Sequence, residues 1–321
     1  MTYTLTKKNV LEEKQLRDHY CETIIEMIKN GLPVMHLDAD AMTGIGIFSY
    51  RDEYPDQIIE CGVSEANMMS VASGMSQVGR IPFTHSLASF ASRRLYDQLY
   101  ISGAYAKSNV KIVSTDSGIA AGYNGGTHAP IEDIALMRVI PGMTVVEPTD
   151  SVMLKDLMYR AVDTYGMFYF RLTRKQAIKI YEEGSEFPIG GSAIVRTGDD
   201  ATIFTSGLMV AEVLRLARFL ENEGIFIRVV DLYSLKPIDI STVIKCAKDT
   251  RAIVTVENHN KIGGIGDAVA SILGENFPVP LKKVGIEDSF LFSASSDWLK
   301  DNYGLSDENV LNAVRETIKR K

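Results

Sequence analysis

Apolar positions along the chain fall into two alternating rhythms. Short apolar runs read as strands: "VMHLDA" (34–39), "QIIEC" (57–61), "RIPFTH" (80–85), "VKIVST" (110–115), "MTVVEP" (143–148) and "MFYFRL" (167–172). Helical spacing lies between most of them, over 65–78, 89–107, 131–139 and 151–164. An opening helix over about 10–30 carries Leu16, Tyr20, Ile24 and Ile28 on one face, and Gly31 and Pro33 stop it. Gly, Glu and Pro break the rhythm at 175–199, where a short strand or two is expected. It then restarts with strands at 201–206, 226–231, 252–258 and 282–286. Helices are expected over 208–223, over 239–248, from about 264, and at the end of the chain with Ser306 as N-cap. Strands alternating with helices predict an α/β chain with mainly parallel sheets covered on both faces. Two successive domains are expected, at 1–175 and 200–321, joined by a linker at 176–199.

Composition narrows the function without naming it. Thirty-four basic residues against 41 acidic ones give a net charge of -7, which argues against non-specific nucleic-acid binding. Cys21, Cys61 and Cys246 lie far apart and form no CxxC, so reduced thiols in a cytoplasmic protein are expected, with no metal site of its own. The first 20 residues are too polar for a signal peptide, and no apolar run is long enough for a membrane span.

In a parallel α/β sheet, ligands gather at the carboxyl ends of strands. Four polar segments fall there: "DAD" (38–40), "GVSEAN" (62–67), "THSLASF" (84–90) and "TDSGIAAGYNGGTHAP" (115–130). Glu65 opens a helix, where it either stabilises the helix N-terminus or serves as a partly buried acid–base group. The 115–130 segment is long and rich in small residues, the mark of an active-site loop or of a passive surface loop; it leads to His128. Among the other histidines, His19 is placed on the wet side of its helix, His36 in a strand core and His85 at a strand end. His259 is a candidate for a supporting role. Arg171, Arg174 and Lys175 cluster at another strand end, as an anion site or as solvated charges. "KIGGIGDAVAS" (261–271) misses the dinucleotide fingerprint and reads as a tight turn.

Taken together, "VSEAN … FASRRLYDQ … GGTHAPIEDIALMR … FRLTR … VENHNKIGGIGDAV" resembles the C-terminal half of transketolase and of 1-deoxyxylulose-5-phosphate synthase. The chain is most similar to the small subunit of transketolases split between two genes. The resemblance implies a thiamine-diphosphate pyrimidine-binding domain followed by a transketolase C-terminal domain. It implies that Glu65 hydrogen-bonds N1′ of the aminopyrimidine and so promotes loss of the thiazolium C2 proton, while the cofactor holds the electrons of carbon–carbon cleavage. Phe90 matches an aromatic that contacts the aminopyrimidine, and Leu87 stands where a second aromatic is usual. Asp38 and Asp40 fall in the stretch near the cofactor. His128 matches a histidine that contacts substrate hydroxyls, and Arg174 an arginine that binds the sugar phosphate. Asn124 replaces an acid that recognises a donor hydroxyl. Asp116 replaces a phosphate-binding histidine of transketolases; the synthases also carry an aspartate there, beside an arginine that is Ser117 here.

The family's diphosphate-binding domain carries a GDG mark, and "GDDA" (198–201) stands in the wrong domain to supply it. The resemblance therefore implies a partner chain that brings most ligands of Mg²⁺ and the diphosphate, in a two-plus-two heterotetramer. The expected activity is ketol transfer from a ketose or ketose phosphate to an aldose. The rival readings are the beta subunit of a 2-oxoacid dehydrogenase, a deoxyxylulose-phosphate-synthase-like enzyme and a non-catalytic regulatory subunit. The "GGTHAPIEDIALMR" segment sides with transketolase.

Overall fold

The computed structural model describes residues 2–321. The chain opens with β1 (Leu5–Gln15) and α1 (Leu16–Lys29), then β2 (Val34–Asp38), a short α2 (Met42–Ile45), β3 (Ile58–Glu60) and α3 (Glu65–Gln77). Next come β4 (Ile81–Leu87), α4 (Tyr96–Gln98), β5 (Lys111–Thr115), α5 (Asp133–Arg138), β6 (Thr144–Val146), α6 (Ser151–Asp163) and β7 (Phe168–Arg171). β8 (Gln176–Tyr181) and β9 (Ala193–Arg196) occupy the expected linker, ahead of β10 (Ala201–Thr205), α7 (Leu208–Asn222), β11 (Ile227–Asp231) and β12 (Ser234–Lys236). The chain finishes with α8 (Ile240–Thr250), β13 (Ile253–Asn260), α9 (Ile265–Asn276), β14 (Leu281–Ile286), α10 (Ser296–Asn302) and α11 (Asp307–Ile318).

Two mainly parallel sheets result. The first has the order β12-β6-β7-β5-β4-β2-β3, with only the edge strand β12 antiparallel; the second has the order β14-β13-β10-β11-β9, with β9 antiparallel. β2, β5, β7, β10 and β13 are buried along their whole length, because helices cover both faces. Helix starts follow local chemistry: Asp150, Asp239 and Ser306 cap α6, α8 and α11, accepting the amides of Met153 (3.0 Å), Thr242 (3.0 Å) and Asn309 (3.2 Å).

Three features depart from the periodicity. Residues 5–15 form β1, which pairs antiparallel with β8 in a two-stranded ribbon, so the first helix begins at Leu16 rather than near residue 10. That ribbon is exposed along most of β1 and gives no apolar stripe to read. The helix expected over 89–107 is broken into two wide π-type segments, Phe90–Arg94 and Leu99–Tyr105, on either side of α4. Apolar spacing over so few turns does not separate these from an α-helix. Finally, β12 crosses back from the later half of the chain to pair with β6.

Candidate active site

The strand order β3-β2-β4-β5-β7 sets the polar segments side by side along one carboxyl edge. At about 4.8 Å per strand that edge runs roughly 19 Å from β3 to β7. Glu65 stands at its β3 end, Asp38 and Asp40 follow β2, Leu87 and Phe90 follow β4, Asp116 and His128 follow β5, and Arg174 follows β7.

Glu65 opens α3 just after Gly62, which turns the chain at φ +72°. It is 3% exposed, and its Oε2 is buried with no hydrogen-bond partner. A buried carboxyl oxygen left without a partner is costly, and a donor arriving from outside the chain would relieve that cost. The proton-bearing ring nitrogen of an aminopyrimidine is such a donor, and the fit of this residue to thiamine diphosphate rests on that unpaired oxygen. Val63, beside it, is 70% exposed and presents an apolar edge.

Across the edge, the half-buried Phe90 ring meets His128 edge-to-face at 5.1 Å, and Arg94 stacks 5.3 Å over the same ring. An open pocket of about 470 Å³ lies here, lined by Ser89, Phe90, Arg93, Arg94 and Thr127. His128 is held by its Nδ1 contact with Thr127 Oγ1 (2.8 Å). The loop itself is held by Arg93, which donates to Thr127 O (2.6 Å) and pairs with Glu132 (3.2 Å). Leu87 is half-buried at the end of β4, and Asn124 is exposed. Asp116 is 3% exposed in a left-handed conformation (φ +64°); its Oδ1 is buried without a hydrogen bond, 3.9 Å from Arg174 Nε. Burial pushes the Asp116 carboxyl up, offset in part by Arg174, Arg17, His85 and His128. Arg174 itself is exposed.

Some sequence candidates occupy other roles. Asp38 is fully buried with both oxygens engaged: Oδ1 accepts the Ala41 amide (2.5 Å), and Oδ2 lies 2.7 Å from His85 and 3.3 Å from His36. Burial pushes its pKa up, but His85 and the hydrogen bonds from both histidines outweigh this and hold it well below the usual range. Both of its oxygens already accept hydrogen bonds within the fold. Asp40 is exposed at φ +60°, its amide held by Glu60 Oε1 (2.8 Å). Arg171 is no anion site: it is fully buried between Asp133 (2.8 Å) and Glu147 (2.5 Å) and donates to Asn258 O (2.8 Å). His259 is buried in β13, donating from Nδ1 to Asn260 O (2.7 Å) and accepting the Ala135 amide; burial lowers its pKa to about 4, so it packs as a neutral ring. His19 is half-buried between Glu12 and Glu22 rather than fully wet.

Two residues escaped the sequence reading. Arg17 hydrogen-bonds Gly44 O, keeps a buried unpaired Nε, and adds positive potential at Asp116; its place in an amphipathic helix carries no signal of this. Glu60 joins the turns after β2 and β3 by accepting the Asp40 and Gly62 amides, both at 2.8 Å.

With this arrangement in place, comparison with known proteins is direct. Residues 12–178 match the transketolase pyrimidine-binding domain, and residues 190–310 match the transketolase C-terminal domain. The chain belongs to the transketolase family. It is 43% identical to the 6-deoxy-6-sulfo-D-fructose transketolase subunit SqwH of Clostridium sp. (strain MSTE9), covering 97% of each chain. It is 32% identical to an apulose-4-phosphate transketolase subunit of Phocaeicola vulgatus, covering 95% of this chain and 97% of that one. It superposes on a solved structure described as a split gene transketolase, inactive beta4 tetramer, with a TM-score of 0.89 at 36% identity, covering 96% of this chain and 99% of that one. No helix among the described residues is long and apolar enough to cross a membrane.

Proposed function

We propose that this chain is the pyrimidine-binding subunit of a two-chain transketolase that moves a two-carbon ketol unit from a ketose with an anionic end to an aldose acceptor. The unpaired, buried Oε2 of Glu65 carries the reading, because it supplies the acceptor that the cofactor's aminopyrimidine requires. When bound, thiamine diphosphate would act as the electron sink for carbon–carbon cleavage. Glu65 would hold the N1′ proton, Phe90 and Leu87 would wall the pyrimidine, and His128 and Asn124 would meet the sugar hydroxyls. Arg174 and Arg17 would receive the charged end, with Asp116 beside them. The Mg²⁺ and diphosphate ligands would come from a second chain in a two-plus-two assembly. The relatives matched along nearly their whole length support this, since they are named as subunits.

The choice of an anionic donor has support from the same relatives: one is named for a sulfonated ketose and another for a sugar phosphate. A sulfonate or a phosphate would accept from the Arg174 and Arg17 guanidinium groups, whose charge also acts on Asp116. The test is co-expression with the diphosphate-binding half, then assay with sulfonated, phosphorylated and uncharged ketoses, and with a 2-oxoacid. Ketol transfer from an anionic ketose is expected, with at least about a hundredfold loss in Glu65→Gln at unchanged thermal stability. Oxoacid decarboxylation in its place, or full turnover in Glu65→Gln, would overturn the reading.

A further inference from the structure

A chain of buried polar groups runs beneath the carboxyl edge and has no part in the chemistry proposed above. Tyr20 Oη lies 2.8 Å from His36 Nδ1, and His36 Nε2 lies 3.3 Å from Asp38 Oδ2. The same Asp38 oxygen lies 2.7 Å from His85 Nδ1, and His85 Nε2 lies 3.2 Å from Thr115 Oγ1. None of these five residues is more than 4% exposed. The chain crosses α1, β2, β4 and β5 and ends one residue before Asp116.

Its proton positions follow from the acceptors. Asp38 Oδ2 is ionised, so His36 Nε2 and His85 Nδ1 both donate to it. His36 then accepts the Tyr20 hydroxyl at Nδ1 and is neutral, in line with burial pushing its pKa down. That leaves His85 Nε2 to hold the Thr115 hydroxyl, as acceptor or as donor. The His36, Asp38 and His85 ligand atoms lie within 4.8 Å of one another, close enough to suggest a cation. Yet all four ring nitrogens and both carboxylate oxygens already have partners, so hydrogen bonding accounts for the cluster completely.

An aspartate at φ +64° is strained by about 1 kcal/mol or more and persists only where its surroundings fix it. Thr115 is the adjoining residue, and its hydroxyl is fixed by His85 alone. We propose that His85 is a positioning residue for the anion-recognising end of the site. It holds the Thr115 hydroxyl and thereby sets the Asp116 carboxyl beside Arg174. This rests on the reading of Arg174 and Asp116 as substrate groups.

Paired variants separate positioning from packing. His85→Asn keeps a donor near the Nδ1 position, towards Asp38, and gives up Thr115. His85→Gln reaches towards Thr115 and gives up Asp38. Thr115→Val removes the hydroxyl at nearly constant shape. In nitrogen-15 spectra of the chain by itself, the Asp116 amide is expected to move in His85→Asn and Thr115→Val and to stay near its wild-type position in His85→Gln. In the reconstituted complex, the first two variants should raise KM for an anionic ketose about tenfold, with kcat within about twofold and KM for an uncharged ketose unchanged. His85→Gln should stay within about twofold throughout. Equal behaviour of His85→Asn and His85→Gln, a uniform loss on all ketoses, or one tightly bound zinc per chain would overturn the proposal. A wild-type complex without ketol transfer would remove the proposed function instead, and the spectra would still decide the positioning role.

Discussion

A buried carboxylate has a different meaning according to what surrounds its oxygens, and three residues here show the range. Asp38 has partners on both oxygens, Glu65 has a buried oxygen with none, and Asp231 has two donors on Oδ2 but none on Oδ1. Asp231 accepts from Thr149 (2.6 Å) and Tyr181 (2.7 Å), yet burial pushes its pKa up to about 7. Its unfolded value is about 3.9, so between roughly pH 4 and 7 the folded chain holds a proton that the unfolded chain has lost. The stabilisation is complete below the lower value and disappears as pH rises through the upper one. Thermal unfolding should therefore occur at a lower temperature at pH 8 than at pH 6, and Asp231→Asn should reduce that difference. An equal pH response in the variant would show that other groups set it. The sequence does not tell which of these acids is paired; the donors and the burial around each oxygen do.

Among the elements, the loop from Asp116 to His128 stood out in the sequence by its length and small residues, but its anchoring did not. Asn258 of β13 accepts the Ile119 amide (2.9 Å) and donates to Ser117 O (3.0 Å), so the second domain holds the first domain's loop. Gly118, at φ +55°, lies where a Cβ would approach Asn258 Oδ1 to 2.2 Å. Gly79 has a similar left-handed backbone (φ +84°), but a Cβ there meets nothing within 4 Å. Gly79→Ala should thus cost about 1 kcal/mol from strain alone, and Gly118→Ala clearly more, as read from denaturant midpoints. Equal costs would mean that Asn258 gives way without penalty. β1 and the π-type segments were missed for a related reason: one has no buried stripe, and the other differs from an α-helix only in how each turn closes.

For the whole molecule, the seam between the sheets is ionic as well as apolar. Arg171 joins Asp133 and Glu147 of the first domain to the Asn258 carbonyl of the second, and Ser206 of the second domain donates to Glu147. Burial would lower the Arg171 pKa, but the two carboxylates raise it, so it stays charged. Arg171→Met would strand two buried acids, and a loss of about 3–5 kcal/mol in urea unfolding is expected. A loss below about 1 kcal/mol would show that the seam does not depend on this ion cluster. β12, drawn from the later half of the chain, also crosses this seam and closes the first sheet beside β6.

The alternation of short apolar runs with longer one-sided helical spacing was enough to indicate two mainly parallel α/β layers, because the two kinds of segment differ in length and in the turn residues that bound them. The residue order at strand ends was likewise enough to indicate the family. Only the tertiary structure decided which of the polar residues are free. It consumed Asp38, Arg171 and His259 in internal pairs and left Glu65 and Asp116 each with an unpaired oxygen. Hydrogen-bond satisfaction is a property of groups far apart in sequence, and no local pattern records it.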